Sequence, residues 1–303
     1  MMRSGMIYIG LSYVLWGILP IYWKMIESVS AEEILAHRII WSFVFVIMII
    51  IFQKRFRDFL GECKKLIRKP YTVLSLILAS FFITINWFTY IWAVNNGHVL
   101  ETSLGYYINP LVSVLLGMIF LKEKMNKGQQ IAFLFAAGGV ILSTVHYGHV
   151  PWTSLLLAVT FGFYGLVKKV TKLESNFGLA LETFVVLPVA AVYVLYLKSI
   201  GKSAFFEWDV LINFLLFGAG VATAIPLLLF AKGAPKIPMY MMGVLQYIAP
   251  TITFCLGIFL FHEPFTIIEV LTFAFIWTGL AIFTFSEPFV RNKWKLKRAT
   301  NSN

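Results

Sequence analysis

Charged residues are scarce in this sequence. Only 13% of its 303 residues are Asp, Glu, Lys or Arg, against 59% that are hydrophobic, and the mean hydropathy is +0.82. Soluble domains carry about a quarter charged residues, so an ordinary soluble domain is excluded. Acid is scarcer than base, with 14 Asp plus Glu against 25 Lys plus Arg and a net charge of +11. Cysteine is scarcer still. Cys63 lies in a basic stretch and Cys255 in an apolar run, which rules out a disulfide framework. The five histidines are scattered, and there is no His-Glu-x-x-His pair, Gly-x-Ser-x-Gly elbow, Walker phosphate loop or Cys/His cluster. No catalytic residue, metal or cofactor is expected, and the chain is read as a non-enzyme.

What the chain does have is long apolar runs. A span needs roughly 20 apolar residues at 1.5 Å rise each. Runs between polar breaks predict ten transmembrane helices, at 5–24, 31–52, 71–95, 98–121, 129–147, 152–167, 178–197, 210–231, 239–261 and 266–286. The first run is read as a span rather than a signal peptide, because it is long for one and nine further spans follow. With the N-terminus inside, all but Lys24, Arg38, Lys198 and Lys202 of the 25 basic residues fall on the cytoplasmic side. The positive-inside rule then puts both termini in the cytoplasm of a multi-pass plasma-membrane protein. It also accounts for the net charge without nucleic acid. The basic stretch Lys54 to Lys69 reads as a topology-setting loop, with anionic lipid head groups as the other reading.

The chain is similar to itself. A shift of 140 aligns Tyr107-Ile108 with Tyr247-Ile248, Pro110 with Pro250, Gly117 with Gly257, Glu123 with Glu263 and Gly139 with Gly279. Near the start of each half a shift of 145 pairs Trp16-Gly17 with Phe161-Gly162. Residues 1–147 and 148–288 are therefore two five-span units, followed by a basic cytoplasmic tail at 289–303. Because five is odd, the second unit enters the membrane from the opposite side, giving an all-α integral membrane fold of inverted-topology repeats. Pro110 and Pro250 fall near the middle of the fourth and ninth spans. There each is expected to break the helix and free a carbonyl at matched depth, as a midplane site would require; a packing kink is the other reading.

Ionisable groups inside the spans are few. His37 and Arg38 lie in the second span one turn after Glu33; Glu101 lies one turn into the fourth at a depth similar to that of Arg38, so the two could pair as a structural bridge or an outer gate. Glu182 is the counterpart of His37 at the 145 shift. It reads either as a helix-start acid or as a protonation site. Trp16, Trp87, Tyr90, Trp92, Tyr106, Tyr107 and Tyr247, with the amides Asn86, Asn95, Asn109 and Gln246, gather in the first, third, fourth and ninth spans. Aromatic walls with a few amides suit a moderately apolar small molecule bearing hydrogen-bonding groups. Glu123 and Glu263 read as carboxylates that position helix ends.

Trp16-Gly17, Ala31-Glu32-Glu33-Ile34-Leu35 leading to His37-Arg38, Asn86-Trp87, Trp92-Ala93-Val94-Asn95 and the run Glu101 to Pro110 carry a resemblance, strengthened by Phe163-Tyr164-Gly165-Leu166-Val167. The chain resembles the RarD-type permeases of the EamA branch of the drug/metabolite transporter superfamily over nearly its whole length. The resemblance implies a secondary transporter exporting small amphipathic metabolites or drugs, with a family label tied to chloramphenicol sensitivity. Small multidrug relatives couple protons through a glutamate in the first span, but residues 5–24 contain no acid. Proton coupling here would fall to Glu101, Glu182 or His37, the alternative being facilitated diffusion. The expected partners are a small-molecule substrate and the bilayer, with a monomer or a homodimer both open. A scaffold or assembly protein without transport, and then a channel, are the competing readings.

Overall fold

A computed structural model describes residues 2–67, 69–122, 127–148, 150–170, 174–205, 209–233, 236 and 245–300. Among these residues the regular structure is helical, with no strand. The helices are α1 (Met2–Lys24), α2 (Ala31–Phe52), α3 (Phe56–Ile67), α4 (Pro70–Asn95), α5 (Val99–Leu121), α6 (Lys127–Tyr147) and α7 (Trp152–Val170). They continue as α8 (Ser175–Ser199), α9 (Val210–Gly233), α10 (Ile248–Cys255), which runs on as a π-helical turn at Leu256–Leu260, and α11 (Ile267–Thr300). Six of them, α1, α2, α4, α6, α8 and α9, are long and apolar enough to cross a bilayer. Val145, Val189, Phe214 and Leu134 are all at least two-thirds exposed on the outside of the bundle. Water penalises such a surface and lipid does not, so this is a multi-pass integral membrane protein.

Local signals account for the helix ends. Ser30 caps α2, its side chain accepting from the Glu33 amide at 3.3 Å. Ser30-x-x-Glu33 has the spacing of a capping box, but Glu33 is diverted: its Oε1 accepts from Ser203 Oγ at 3.0 Å and the Ala204 amide at 2.8 Å. Pro70 opens α4 in the first turn, where a missing amide costs nothing. α5 ends at Lys122, which adopts the left-handed conformation at φ 56°.

The stretch Lys54 to Lys69, expected as a loop, contains α3. Phe56, Phe59, Leu60, Cys63 and Leu66 recur at helical spacing, and Phe59 and Leu66 are buried while the lysines face out. Phe59 packs edge-on against Phe177 at the start of α8, 5.6 Å between ring centroids. The break expected at Pro110 is also corrected, since α5 is helical throughout Val99–Leu121. Within a packed bundle one lost backbone bond is tolerated. Pro250 is not mid-helix either. It is the third residue of α10, in the first turn, and the chain turns at Tyr247 just before it.

The most extensive helix pairings join the two halves of the chain: α6 with α11, α5 with α7, α2 with α8 and α9, α4 with α7, and α1 with α9 and α10. Glycines set their closeness. A Cβ at Gly220 would lie 2.3 Å from the Trp41 carbonyl carbon, so α9 touches the backbone of α2, and Ser42 Oγ donates to the Gly220 carbonyl at 3.2 Å. A Cβ at Gly139 would meet the Thr272 carbonyl oxygen at 3.1 Å, and one at Gly279 would meet that of Ala132 at 2.8 Å. These contacts are reciprocal at the 140-residue shift, which aligns Ala132 with Thr272 as it aligns Gly139 with Gly279. The α2–α9 contact yields a test: Gly220→Ala is expected to lower stability by about 3 kcal/mol or more, because backbone cannot yield as a side chain can. Gly10→Ala, where nothing lies within 4 Å of the added carbon, is the control. Equal melting temperatures for the two in detergent would contradict the packing.

Candidate functional site

A buried cationic side chain stands at Arg38, eighth residue of α2 and 3% exposed. Its guanidinium lies over the Trp87 ring at 4.3 Å and the Trp23 ring at 5.1 Å, and its charge is felt at the hydroxyls of Tyr90 and Tyr106. Those two rings meet edge to face at 5.7 Å, and Thr253 lies beside Tyr90. Thr253 Oγ1 in turn donates to the Gly17 carbonyl at 3.3 Å. Four helices, α1, α2, α4 and α5, thus surround one cation, with α10 behind Tyr90. Arg38 Nε and Nη1 are buried without a hydrogen-bond partner, and none of the ion pairs among the described residues includes Arg38. An ionised side chain at membrane depth costs roughly 2.5–3.5 kcal/mol, and each cation–π contact returns about 0.5–2 kcal/mol. The two aromatic contacts roughly offset the transfer cost and leave the N–H groups unmet.

The expected Arg38–Glu101 pair is not formed. Glu101 lies in the first turn of α5 and is taken by His98 three residues earlier, Nδ1 to Oε1 at 3.0 Å. Similar depth on two helices says nothing about the azimuth at which each side chain leaves its helix. His37 is fully enclosed. Trp41 Nε1 donates to its Nδ1 at 3.2 Å, Phe205 covers its ring at 4.6 Å, and Glu33 Oε1 is 4.0 Å from Nε2. With Nδ1 accepting, the neutral ring carries its proton on Nε2.

The remaining sequence-derived residues divide by helix face. Trp87, Tyr90 and Tyr106 join Arg38. Tyr107, one residue on and about 100° around α5, faces elsewhere: its hydroxyl shares a 2.7 Å hydrogen bond with Thr251 Oγ1, and its ring stacks on Tyr247 at 6.3 Å. Trp16 packs on Tyr13 and Phe230. Asn86 Nδ2 donates to the Leu157 carbonyl at 2.9 Å and to Thr160 Oγ1 at 3.1 Å, stitching α4 to α7. Glu182 accepts from Tyr164 at 3.0 Å. Asn95 and Asn109 Oδ1 are buried without partners, and Gln246 is half-buried. Pro250 contributes its carbonyl, which accepts from Ser103 Oγ at 2.8 Å; Pro110 is set within α5. Glu263 caps α5, accepting from the Val99 and Leu100 amides at 2.6 and 2.8 Å, while Glu123 lies outside the described residues. Sequence reasoning missed Trp23, although its spacing of seven from Trp16 sets both on one face of α1. Phe205 and Thr253 carry no comparable signal. No group of three or more His, Cys, Asp or Glu that could hold a metal occurs among the described residues.

A buried cation set against aromatic residues of α1, α4 and α5, within a bundle of long apolar helices, defines a polytopic membrane protein with an internal polar site, in the manner of transporters. Comparison with known proteins agrees. The EamA-like transporter family matches residues 3–145. The chain is 51% identical over 304 residues to the uncharacterized transporter YojE of Bacillus subtilis, covering 99% of this chain and 98% of that one. It is 40% identical over 291 residues to protein RarD of Salmonella typhi, covering 96% and 98%. One solved crystal structure shares the fold with a TM-score of 0.60 at 17% identity, over 96% of this chain and 99% of the other. The chain belongs to the EamA-like transporter family, in its RarD-type branch, and is not an enzyme.

Two carboxylates pin the antiparallel α2–α8 pair at its ends, and both can be tested. Glu33→Ala leaves the Ala204 amide without an acceptor, so melting in detergent is expected to show a loss of about 2 kcal/mol. Glu33→Gln keeps an accepting oxygen and should stay near wild type; equal losses would mean the charge itself matters. At the other end Arg55 takes Glu174 with both terminal nitrogens, at 2.5 and 2.8 Å. That hydrogen bond and charge hold the Glu174 carboxyl below its usual range. A carboxyl lowered in the fold adds stability above its unfolded pKa and loses it as pH falls through the folded value. The melting difference between wild type and Glu174→Gln should therefore be modest at neutral pH and close on acidification. A difference that widens in acid would reverse the assignment.

Proposed function

We propose that this protein is a secondary transporter of the plasma membrane that moves small amphipathic molecules by alternating access. Its architecture is ten spans in two inverted five-span repeats, both termini are cytoplasmic, and the direction is export. The observation that carries the reading is the enclosed Arg38 site, walled by tryptophans of α1 and α4 within a transporter family. A scaffold has no need of an unpaired cation in its interior, and a channel would line a pore with polar groups rather than seal one under tryptophan. Support for the repeats comes from helix pairings that persist when the halves are exchanged. α5 on α7 corresponds to α10 on α1, α4 on α7 to α9 on α1, and α6 on α11 to itself. The reciprocal Gly139 and Gly279 contacts follow the same exchange. Inverted units of this kind open a shared site alternately to either side by rocking against each other.

Counterflow in proteoliposomes tests the reading, using pooled labelled aromatic and apolar metabolites together with chloramphenicol. Saturable exchange is expected, and Trp87→Ala should reduce it by about tenfold or more through loss of a site wall. Uptake that rises without saturation would favour a channel. No exchange of any compound would favour the scaffold.

A further inference from the structure

We infer that Arg38 is the anchor for a carboxylate on the transported molecule, so that the cargo is an organic anion with an apolar or aromatic body. The inference rests on the transporter reading and names the class of molecule the site takes. Three observations carry it. Arg38 is 3% exposed, yet Nε and Nη1 have no hydrogen-bond partner and no ion pair among the described residues includes it. Its aromatic contacts are Trp23 and Trp87, which meet the guanidinium through their rings. A ring that attracts a cation offers no acceptor in the plane of the guanidinium, and the N–H groups radiate within that plane. The rings therefore hold the charge in place and leave its donors for another group. Finally, the hydroxyls of Tyr90 and Tyr106 lie within electrostatic reach of the guanidinium. A hydroxyl can donate to the same carboxylate that Arg38 would hold, whereas a cationic ligand would meet repulsion and an unmet donor.

Arg38 differs in this from Glu33, Arg55 and Glu263 among the described residues. Glu33 is held by Ser203 and Ala204, Arg55 by Glu174 and Glu263 by the start of α5. The aromatic character of the walls sets the other half of the specificity. A compact aryl or alkyl body replaces ring contacts with ring contacts, and a polyanion would bring more charge than one guanidinium can meet.

Binding to the full-length protein tests this. The protein is placed in nanodiscs of phosphatidylcholine and titrated by calorimetry with 3-phenylpropanoate, its neutral amide and 3-phenylpropylamine. The carboxylate is expected to bind at least about tenfold more tightly than the amide or the amine, the scale of one charge-assisted hydrogen bond. Arg38→Gln should abolish that preference. The three-ligand comparison on the wild type stands by itself if the variant does not fold. Equal binding of amide and carboxylate, preference for the amine, or no binding of the carboxylate would overturn the inference. So would competition from phosphatidylglycerol added to the nanodiscs, which would assign Arg38 to a lipid head group. The two readings fail separately. Carboxylate preference without counterflow would leave the anion site and remove transport, and counterflow of neutral cargo with no carboxylate preference would do the reverse.

Discussion

Hydrocarbon offers no hydrogen bonds, so every polar group carried into it must find its partner within the bundle. That constraint decides where most polar side chains of this protein go. Asn86 joins α4 to α7, Ser42 joins α2 to α9, Ser103 joins α5 to α10, and Glu263 closes the start of α5. Each removes an unmet donor or acceptor and fixes two helices at once. The pattern turns scarcity of charge into information. Beside these bonded groups, an arginine with two unmet nitrogens is a buried cation whose partner comes from elsewhere.

The same solvent removes another familiar source of stability. Burying leucine against leucine gains little when the alternative is lipid, so helix association depends on close packing and on the few polar bonds. Gly17, Gly105, Gly139, Gly220 and Gly279 each bring a helix of one half within reach of backbone in the other. These contacts cross between the halves, whereas the Arg38 site lies within the first: α1, α2, α4 and α5 supply its walls, and α10 supplies the threonine behind Tyr90. Glycine contacts resist compression but not separation.

Hydropathy made the helices legible because a lipid-exposed helix must be apolar from end to end. α2 begins and ends at the sequence-derived limits, and α4, α5 and α6 do so within a residue or two. What hydropathy could not supply was rotation about the helix axis. Arg38 and Glu101 were matched by depth, and their azimuths send one to tryptophan and the other to His98. Tyr106 and Tyr107 were grouped as neighbours in sequence and face different clusters. Spacing carried some of the missing information, since the seven-residue interval between Trp16 and Trp23 and the periodic apolar positions of α3 were both present. Charge density obscured α3, because lysines on the exposed face outweigh the buried face in any average. Proline misled for a physical reason as well. Its effect depends on its place in the helix, harmless in the first turn of α10 and absorbed by packing in α5.

An arginine held by ring faces rather than by an acid has a consequence for how such a site would cycle. A carboxylate partner would satisfy Arg38 permanently, and an incoming anion would have to displace it at the cost of stranding that acid. Tryptophan imposes no such exchange. With the cargo absent, closing the helices over Arg38 strands its donors in a dry interior, so the empty protein resists occlusion while either face can still admit water. With a carboxylate in place the donors are met, and closure excludes water from an interaction that strengthens as the dielectric falls. On the proposed reading, the unmet donors would bias the protein toward crossing between its two faces only when loaded, and exchange of cargo would outpace return of the empty form.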